Sequence, residues 1–356
     1  WFPALFLHPD TLSSAPKAST PVARIAATDH TLRVTLMFGL PVGRGPNRAA
    51  PDRDATVLEM NRMGLDIGGS SVKVAWFASS GEVHVSQSEG YFDPDRTILR
   101  DRLAQALSEL PAAVRRDLVA PRIGLCLPGL FDRRARTLSR AVNVPRLVGV
   151  DVDGLLAEAM EASGFPRVVG ETAVWTDAHA AAHDYVVAHA LGGRTLAISL
   201  GTGVGACVLD GTTPLHVSGE TPGHLGHIDV TLDDASRGPV PRARDGSRGT
   251  LEAYIGADAL RARFGTADSD SVAAQLSESD PAILALAKAL RTAHAIYRPD
   301  HVALLGGVGL LLQPLLARLR VLVNDGLTTL ARPGWTLRSA DDGFHAARGA
   351  ARLASV

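Results

Sequence analysis

This chain of 356 residues has few cysteines, little net charge and few long apolar runs. Its 2 cysteines, Cys126 and Cys207, lie in apolar, strand-like runs, so we expect two buried thiols in a cytoplasmic protein rather than a disulfide framework. The formal net charge of −1 gives no overall field to attract nucleic acid or an anionic membrane. No apolar run approaches the roughly 20 residues of a membrane helix. The composition fits a globular enzyme that binds neither nucleic acid nor membrane.

Sustained periodicity is missing from residues 1–62, which are rich in Pro, Ala, Arg and Thr. A signal peptide fits poorly, because the apolar start at residues 1–7 has no basic segment before it. We expect an N-terminal extension that is either disordered or upstream of a true start at Met60 or Met63. N-terminal sequencing of the native protein tests this expectation.

The chain contains an internal repeat. Residues 63–84 read MGLDIGGSSVKVAWFASSGEVH, and residues 196–216 read LAISLGTGVGACVLDGTTPLH. Each is an apolar strand, a glycine-rich turn, a second strand, another turn containing glycine and a third short strand. The repeat predicts two similar domains, which we place at 63–175 and 176–356. Two such turns facing one another could hold a polyphosphate from both sides.

Helix and strand patterns alternate after each repeat, which indicates α/β layers. Residues 233–249 are rich in Asp, Arg, Pro and Gly and predict a long loop. Apolar spacing predicts helices at 97–110, 178–190 and 281–297, and buried strands at 122–127, 167–170, 196–200 and 301–305.

Two glycine-rich turns are the candidate phosphate-binding elements. Glycine lets backbone amides approach phosphate oxygens, and a carboxylate beside the turn can hold Mg²⁺ through water. A strand rather than a helix follows the second turn, which argues against a dinucleotide-binding turn. The Gly-Lys-Ser/Thr triplet of a Walker loop is absent from the sequence. Plain hairpin turns are the structural alternative. The candidates are Asp66, Gly68, Gly69, Ser70 and Lys73 in the first segment, and Gly201, Thr202, Gly203 and Gly205 in the second.

Asp177 is the candidate general base, since a carboxylate can accept the proton of an attacking hydroxyl. It also stands at a predicted helix start, where an Asp often serves only as the N-cap. The local sequence leaves both roles open.

Polar residues on either side of the predicted loop are candidates for acceptor binding. His224 and His227 could suggest a metal, but a full site needs three or four ligands and no cysteine is near. Hydrogen bonding to a substrate by His224 and Glu252 is the preferred interpretation. Gly306 and Gly307 end a buried strand, and form either a strand-to-helix turn or a flat wall for an adenine ring.

In this order, the segments resemble the ROK family of sugar kinases over nearly all of the chain from residue 63 onward. The resemblance implies an α/β, two-domain ribonuclease-H-like and actin-like ATPase fold of the sugar kinase/Hsp70/actin superfamily, with the last helix packing back on the N-terminal domain. It also implies ATP, Mg²⁺ near Asp66, catalysis by Asp177, and a homodimer. The similar segments are 66–73, 200–205, Cys126-Leu127-Pro128-Gly129 with Asp132, Asn143-Val144-Pro145, Asp177 and Gly306-Gly307.

Three departures from the ROK pattern concern acceptor recognition. Thr176 stands where family members usually carry Asn, and His224 where they usually carry Glu. The family's zinc-loop cysteines are absent from residues 243–250, so no zinc site is expected. The predicted acceptor-binding residues are Asn143, Thr176, His224, His227 and Glu252.

An altered pocket with preserved phosphate motifs favours a hexose-like acceptor that lacks an ordinary anomeric centre. A C7 cyclitol of aminocyclitol antibiotic biosynthesis fits, because its exocyclic hydroxymethyl group could replace the sugar 6-hydroxyl. Glucose or an N-acylhexosamine is the alternative acceptor. A transcriptional regulator is the alternative of a different class, but prolines recur through residues 3–51, where a helical DNA-binding head would lie.

Overall fold

The computed structural model describes residues 61–112, 114, 121–165, 172–217, 223–232, 238–266 and 268–354. The predicted extension up to residue 60, the predicted strand at 167–170 and part of the predicted loop at 233–249 lie outside these residues. Within the described ranges, no helix is both long enough and apolar enough to cross a membrane.

A first mixed sheet surrounds the first glycine-rich turn. Its strand order is β3-β2-β1-β4-β7, and β1 pairs antiparallel with β2 and parallel with β4. The strands β5 and β6 form a separate hairpin. The bounds are β1 (Arg62–Ile67), β2 (Val72–Phe77), β3 (Val83–Gln87), β4 (Arg122–Leu127), β5 (Leu130–Asp132), β6 (Thr137–Arg140) and β7 (Ala173–Thr176).

A second sheet repeats this arrangement around the second glycine-rich turn. Its strand order is β10-β9-β8-β11-β12, and β8 pairs antiparallel with β9 and parallel with β11. The repeat in the sequence is therefore a repeat in the structure, and the predicted α/β class is confirmed. The bounds are β8 (Arg194–Leu200), β9 (Val204–Asp210), β10 (Thr213–Pro214), β11 (His301–Leu305) and β12 (Thr336–Ser339).

Most of the predicted helices form close to their predicted bounds. The helix at 281–297 has them unchanged, because Asp280 caps its first turn and Pro281 is its first residue. The helices predicted at 97–110 and 178–190 each begin one residue earlier and end two residues earlier. The bounds are α1 (Arg96–Ser108), α2 (Val152–Ala162), α3 (Asp177–Ala188), α4 (Leu251–Ile255), α5 (Ala257–Phe264), α6 (Ser269–Gln275), α7 (Pro281–Tyr297), α8 (Gly306–Leu311), α9 (Leu316–Asp325) and α10 (His345–Leu353).

The last helix, α10, lies against β1 and β4 of the first sheet and against α3. The approach is close enough to exclude side chains. A Cβ on Gly64 of β1 would overlap the carbonyl of Ala347, and one on Gly349 would overlap the carbonyl of Ala180. The C-terminal helix thus packs on the sheet formed by the first half of the chain, while the predicted division at residue 175 stays a prediction.

A buried carboxylate also joins α3 to α10. Asp184 Oδ2 lies 2.8 Å from His345 Nδ1 and accepts a hydrogen bond from Arg348 Nε at 2.9 Å, and its Oδ1 accepts one from Arg352 Nε at 2.7 Å. Burial would raise the pKa of Asp184, but hydrogen bonds from His345 and Arg352 and the charge of Arg348 lower it to about 2. This cluster fixes α3, the helix that begins at Asp177.

We expect Asp184→Ala to lower the free energy of unfolding by about 1–3 kcal/mol, because it leaves the buried His345 ring and the partly buried Arg352 guanidinium without their carboxylate partner. Since the pKa is lowered, the carboxylate's contribution is complete above its ordinary value of 3.8 and is lost as the pH falls towards about 2. Urea denaturation measures both effects. Glu158→Ala, which breaks an exposed pair with Arg96, is the control, and an equal loss in the two variants would contradict the assignment.

Candidate active site

One cavity gathers the candidate residues of both sheets. Its volume is about 810 Å³. Residues that are far apart in the sequence therefore share a single site, while the role of each stays a prediction. The lining includes every residue assigned above to nucleotide, catalysis or acceptor: Asp66, Gly68, Gly69, Ser70, Lys73, Asn143, Thr176, Asp177, Gly201, Thr202, Gly203, Gly205, His224, His227, Glu252, Gly306 and Gly307.

The first turn is held rigidly from behind. Gly68 N donates to the carbonyl of Ser71 at 3.0 Å, which closes the turn. Tyr91 then fastens it twice, because its amide donates to the carbonyl of Ser70 at 2.8 Å and its hydroxyl donates to the carbonyl of Gly68 at 2.6 Å. The role of Tyr91 could not be predicted from the sequence, because no sequence pattern identifies a loop tyrosine that hydrogen-bonds to a turn more than twenty residues earlier.

The second turn is held by its own backbone and by two neighbours. Gly201 N donates to the carbonyl of Gly203 at 2.9 Å, and Ala257 N donates to the carbonyl of Gly201 at 2.8 Å. Glu252 Oε2 accepts a hydrogen bond from Val204 N at 2.8 Å. Glu252 therefore fixes the turn as well as lining the cavity, a role that sequence analysis did not foresee.

The two turns face one another at van der Waals distance. A Cβ placed on Gly69 would lie 2.8 Å from Thr202 Oγ1, so any side chain there would force the turns apart. A Cβ on Gly203 would lie 2.7 Å from both Asn143 Nδ2 and Glu252 Oε2. Only glycine allows this approach, which brings the backbones of the two turns close enough to contact one anion together.

Asp177 is not the N-cap of its helix. Thr176 takes that position, and its hydroxyl accepts a hydrogen bond from His179 N at 3.3 Å. Asp177 is the first helical residue, and its carboxyl lines the cavity. Burial raises its pKa, although nearby backbone amides oppose the shift. The capping role that the sequence left open is therefore filled by the neighbouring threonine.

Asp66 is a second buried carboxyl beside the first turn. Burial raises its pKa to about 6, the charge of Lys73 lowers it, and the charge of Asp177 raises it further. Among the described residues, none donates a hydrogen bond to this carboxylate. An acidic oxygen ligand left unpaired next to a phosphate-binding turn fits the donor chemistry that Mg²⁺ prefers.

Comparison with known proteins decides the family. Residues 62–356 match the ROK family. This chain belongs to the ROK family. No match was found among curated protein sequences.

Solved ROK structures share the fold. A ROK glucokinase from Streptomyces griseus, in complex with glucose and AMPPNP, has 20% identity and a TM-score of 0.62 over 83% of this chain and 99% of that chain. A ROK hexokinase from Thermus thermophilus has 25% identity and a TM-score of 0.54 over 82% and 97%. A ROK transcriptional regulator, a homologue of the E. coli MLC protein, has 17% identity and a TM-score of 0.58 over 83% and 78%. The predicted two-domain, actin-like sugar-kinase fold is confirmed.

The acceptor side of this ROK chain is built from loops. The His224 and His227 rings lie 5.9 Å apart between centroids, and His227 Nδ1 lies 3.6 Å from Asp245 Oδ2. Asp245 also accepts hydrogen bonds from Ser247 N at 2.9 Å and Ser247 Oγ at 2.6 Å. In the loop that lacks the family cysteines, hydrogen bonds that Asp245 accepts thus hold the described backbone.

Gly306 and Gly307 lie at a strand-to-helix turn, as the structural interpretation predicted. Gly306 follows β11, begins α8 and has a φ of 80°. A Cβ there would approach the carbonyl of Leu200, at the end of β8. Apolar side chains missed by the sequence analysis complete this end of the cavity, namely Leu260, Val272, Val308 and Leu311. The turn is therefore structural and lies beside a partly apolar part of the cavity, while its contact with an adenine ring stays a prediction.

We expect Lys73→Met to raise the pKa of Asp66 further, because the substitution removes the cation that favours the ionised carboxylate. Carboxyl NMR titration, with the resonance assigned through Asp66→Asn, measures the change. Lys288→Met is the matched control, since Lys288 donates to the carbonyl of Thr231 and does not line the cavity. An Asp66 pKa that stays the same in both variants would contradict the coupling.

Proposed function

We propose that this protein is an ATP-dependent kinase that phosphorylates a primary hydroxyl of a hexose-like polyol. One observation carries the proposal: Thr176 caps α3, and Asp177 lines the cavity that both glycine-rich turns also line. A pair of facing amide-rich turns supplies phosphate binding, and a carboxylate in the same cavity supplies a base. The Streptomyces griseus relative was solved with glucose and AMPPNP, which supports a nucleotide and a sugar in the same cleft.

The chain's residues divide the reaction between binding and proton transfer. Thr202 and the amides of Gly203 and Gly205 bind the terminal phosphates, and the acceptor hydroxyl lies beside Asp177. The hydroxyl oxygen attacks the γ-phosphorus, its proton passes to Asp177, and the bond between phosphorus and the ADP oxygen breaks. Mg²⁺, when bound near Asp66, neutralises charge on the phosphates. The raised pKa of Asp177 brings its basicity closer to that required for proton removal near neutral pH.

We further propose a C7 cyclitol as the acceptor. His224 lines the cavity and is exposed there, so an imidazole that can donate or accept meets the substrate. Glu252 already accepts from Val204 N, which limits the hydrogen bonds left for a sugar hydroxyl. A site built on such hydrogen bonds discriminates strongly against analogues that leave buried polar groups unpaired. Glucose or an N-acylhexosamine is the alternative acceptor.

A transcriptional regulator is the second candidate, favoured by the similarity to the MLC-type regulator. Asp177 argues against it, because a regulator that only binds ligand has no need of a general base in the cavity. A gel-shift assay with DNA and an ADP-release assay distinguish the two functions.

We expect Asp177→Asn to reduce kcat by about 10²–10⁴-fold, because it removes the base and keeps the side-chain shape. AMPPNP affinity should be nearly unchanged, which calorimetry checks. Asp268→Asn is the matched control, since this aspartate caps α6 and does not line the cavity. Activity of Asp177→Asn close to that of the control would refute the assignment of the base.

We expect ADP release with Mg-ATP to be faster with a C7 cyclitol than with glucose or an N-acylhexosamine across a matched panel of acceptors. His224→Glu should shift the kcat/KM ratio towards glucose, because it restores a hydrogen-bond acceptor for a sugar hydroxyl. Higher kcat/KM for glucose than for every cyclitol in the wild-type protein would defeat the cyclitol proposal while leaving the kinase proposal intact.

A further inference from the structure

Arg244 contacts residues from both halves of the chain, across the cleft between the two sheets. It does not line the main cavity. Its Nε lies 2.9 Å from Asp258 Oδ2, in the half of the chain that carries the second sheet. Its Nη1 donates to the carbonyl of Asn143 at 3.3 Å, and its Cζ lies 4.9 Å from the centroid of the Phe92 ring, both in the half that carries the first sheet. A planar guanidinium can make such an ion pair, hydrogen bond and ring contact at once.

Each of these three contacts leads directly to a part of the site. Phe92 follows Tyr91, whose amide and hydroxyl hold the first phosphate turn. Asp258 follows Ala257, whose amide donates to the carbonyl of Gly201 in the second turn. Asn143 itself lines the acceptor side of the cavity. Arg244 is therefore in contact with Asn143 and with the chain neighbours of Tyr91 and Ala257, the two residues that hold the turns.

A second cavity shows how near Arg244 lies to the junction of the turns. It has a volume of about 290 Å³ and is lined by Gly69, Thr202, Phe92, Arg244 and Arg261, among others. Gly69 and Thr202 also line the main cavity, so the two cavities meet at the glycine-rich turns. Arg244 therefore borders the turns from a space beside the main cavity.

We propose that Arg244 is a positioning residue that holds the two phosphate turns and the acceptor segment in their catalytic arrangement when the cleft is closed. The proposal rests on the proposed kinase function for its kinetic consequence, though the contacts themselves do not. Small displacements of reacting groups reduce rates steeply, and lids and hinged domains act through such contacts.

Arg263 offers a matched control. It pairs with Asp280 Oδ1 at 2.7 Å and its Cζ lies 4.5 Å from the Phe264 ring, so it also combines a carboxylate with an aromatic contact. Both of its partners belong to the half of the chain that carries the second sheet. Loss of Arg263 removes similar interactions without removing one that crosses the cleft.

We expect Arg244→Ala in the full chain to raise KM for acceptor and ATP and to lower kcat/KM by about 10–100-fold. Arg263→Ala should keep wild-type kinetics, and the two variants should have similar melting temperatures. Asp258→Asn, which also weakens the pair with Arg261, should lower kcat/KM, and the losses in the double variant with Arg244→Ala should be less than additive, since the two residues share one ion pair. Wild-type KM values in Arg244→Ala, or fully additive losses in the double variant, would overturn the proposal.

A distance measurement tests the same contact without turnover. Because Cys126 and Cys207 are buried, spin labels can be attached selectively to cysteines at the exposed positions Ser80 and Asp325. We expect Arg244→Ala to increase the mean distance between the two labels and to broaden its distribution, relative to wild type and Arg263→Ala. This difference should be present with and without AMPPNP. Identical distributions in all three would overturn the role of Arg244, whereas wild-type protein that releases no ADP with any acceptor would overturn only the kinase proposal.

Discussion

The site depends on the close opposition of two glycine-rich turns that come from different sheets. Gly69 approaches Thr202 so closely that a Cβ would lie 2.8 Å from its hydroxyl oxygen. Backbone amides from two sheets can reach one polyphosphate only where side chains are absent from the space between them. Each turn is held from behind, the first by Tyr91 and the second by Ala257 and Glu252. Asp177 and Asn143 line the same cavity as these paired turns.

Most of the fold could be predicted because it is specified by local patterns. The strand–turn–strand repeat appears in the sequence as two apolar runs around glycines, and β4, β11 and α7 have their predicted bounds. Two of the three predicted helix starts were wrong by one residue, because the capping residue decides where each helix begins. Thr176 and Asp177 are both good capping residues, so the local sequence could not show which one caps α3. Only the backbone conformation shows that Thr176 is the cap and that Asp177 lines the cavity.

The partners that support the site could not be predicted, because each is a single residue brought near by the folded chain. Lys73 donates to the carbonyl of Gly343, which lies 270 positions later in the sequence. Tyr91 and Arg244 lie in loops, and Asp184 lies in α3. No periodic pattern or spacing in the sequence distinguishes these residues from their neighbours. Glu252 was assigned to the acceptor from its motif, and its contact with Val204 N required the three-dimensional arrangement of the second turn. Long-range polar contacts therefore carry information that periodicity does not contain.

Under the proposed function, the residues assigned to phosphate transfer and those assigned to the acceptor lie in different kinds of segment. The glycine-rich turns and Asp177 lie at strand ends and at a helix start, where pairing and packing fix the backbone. Asn143, His224 and Asp245 lie outside the α-helices and β-strands, and His224 is exposed in the cavity. A substitution in these segments changes the hydrogen-bond pattern offered to a substrate at little cost in core packing, since loops tolerate change better than buried elements. Loss of the family cysteines from the neighbouring loop follows the same logic, because Asp245 with Ser247 and Arg244 with Asp258 provide other contacts there. Selection for a different acceptor could thus act on these loops while the turns and the base stayed as they are.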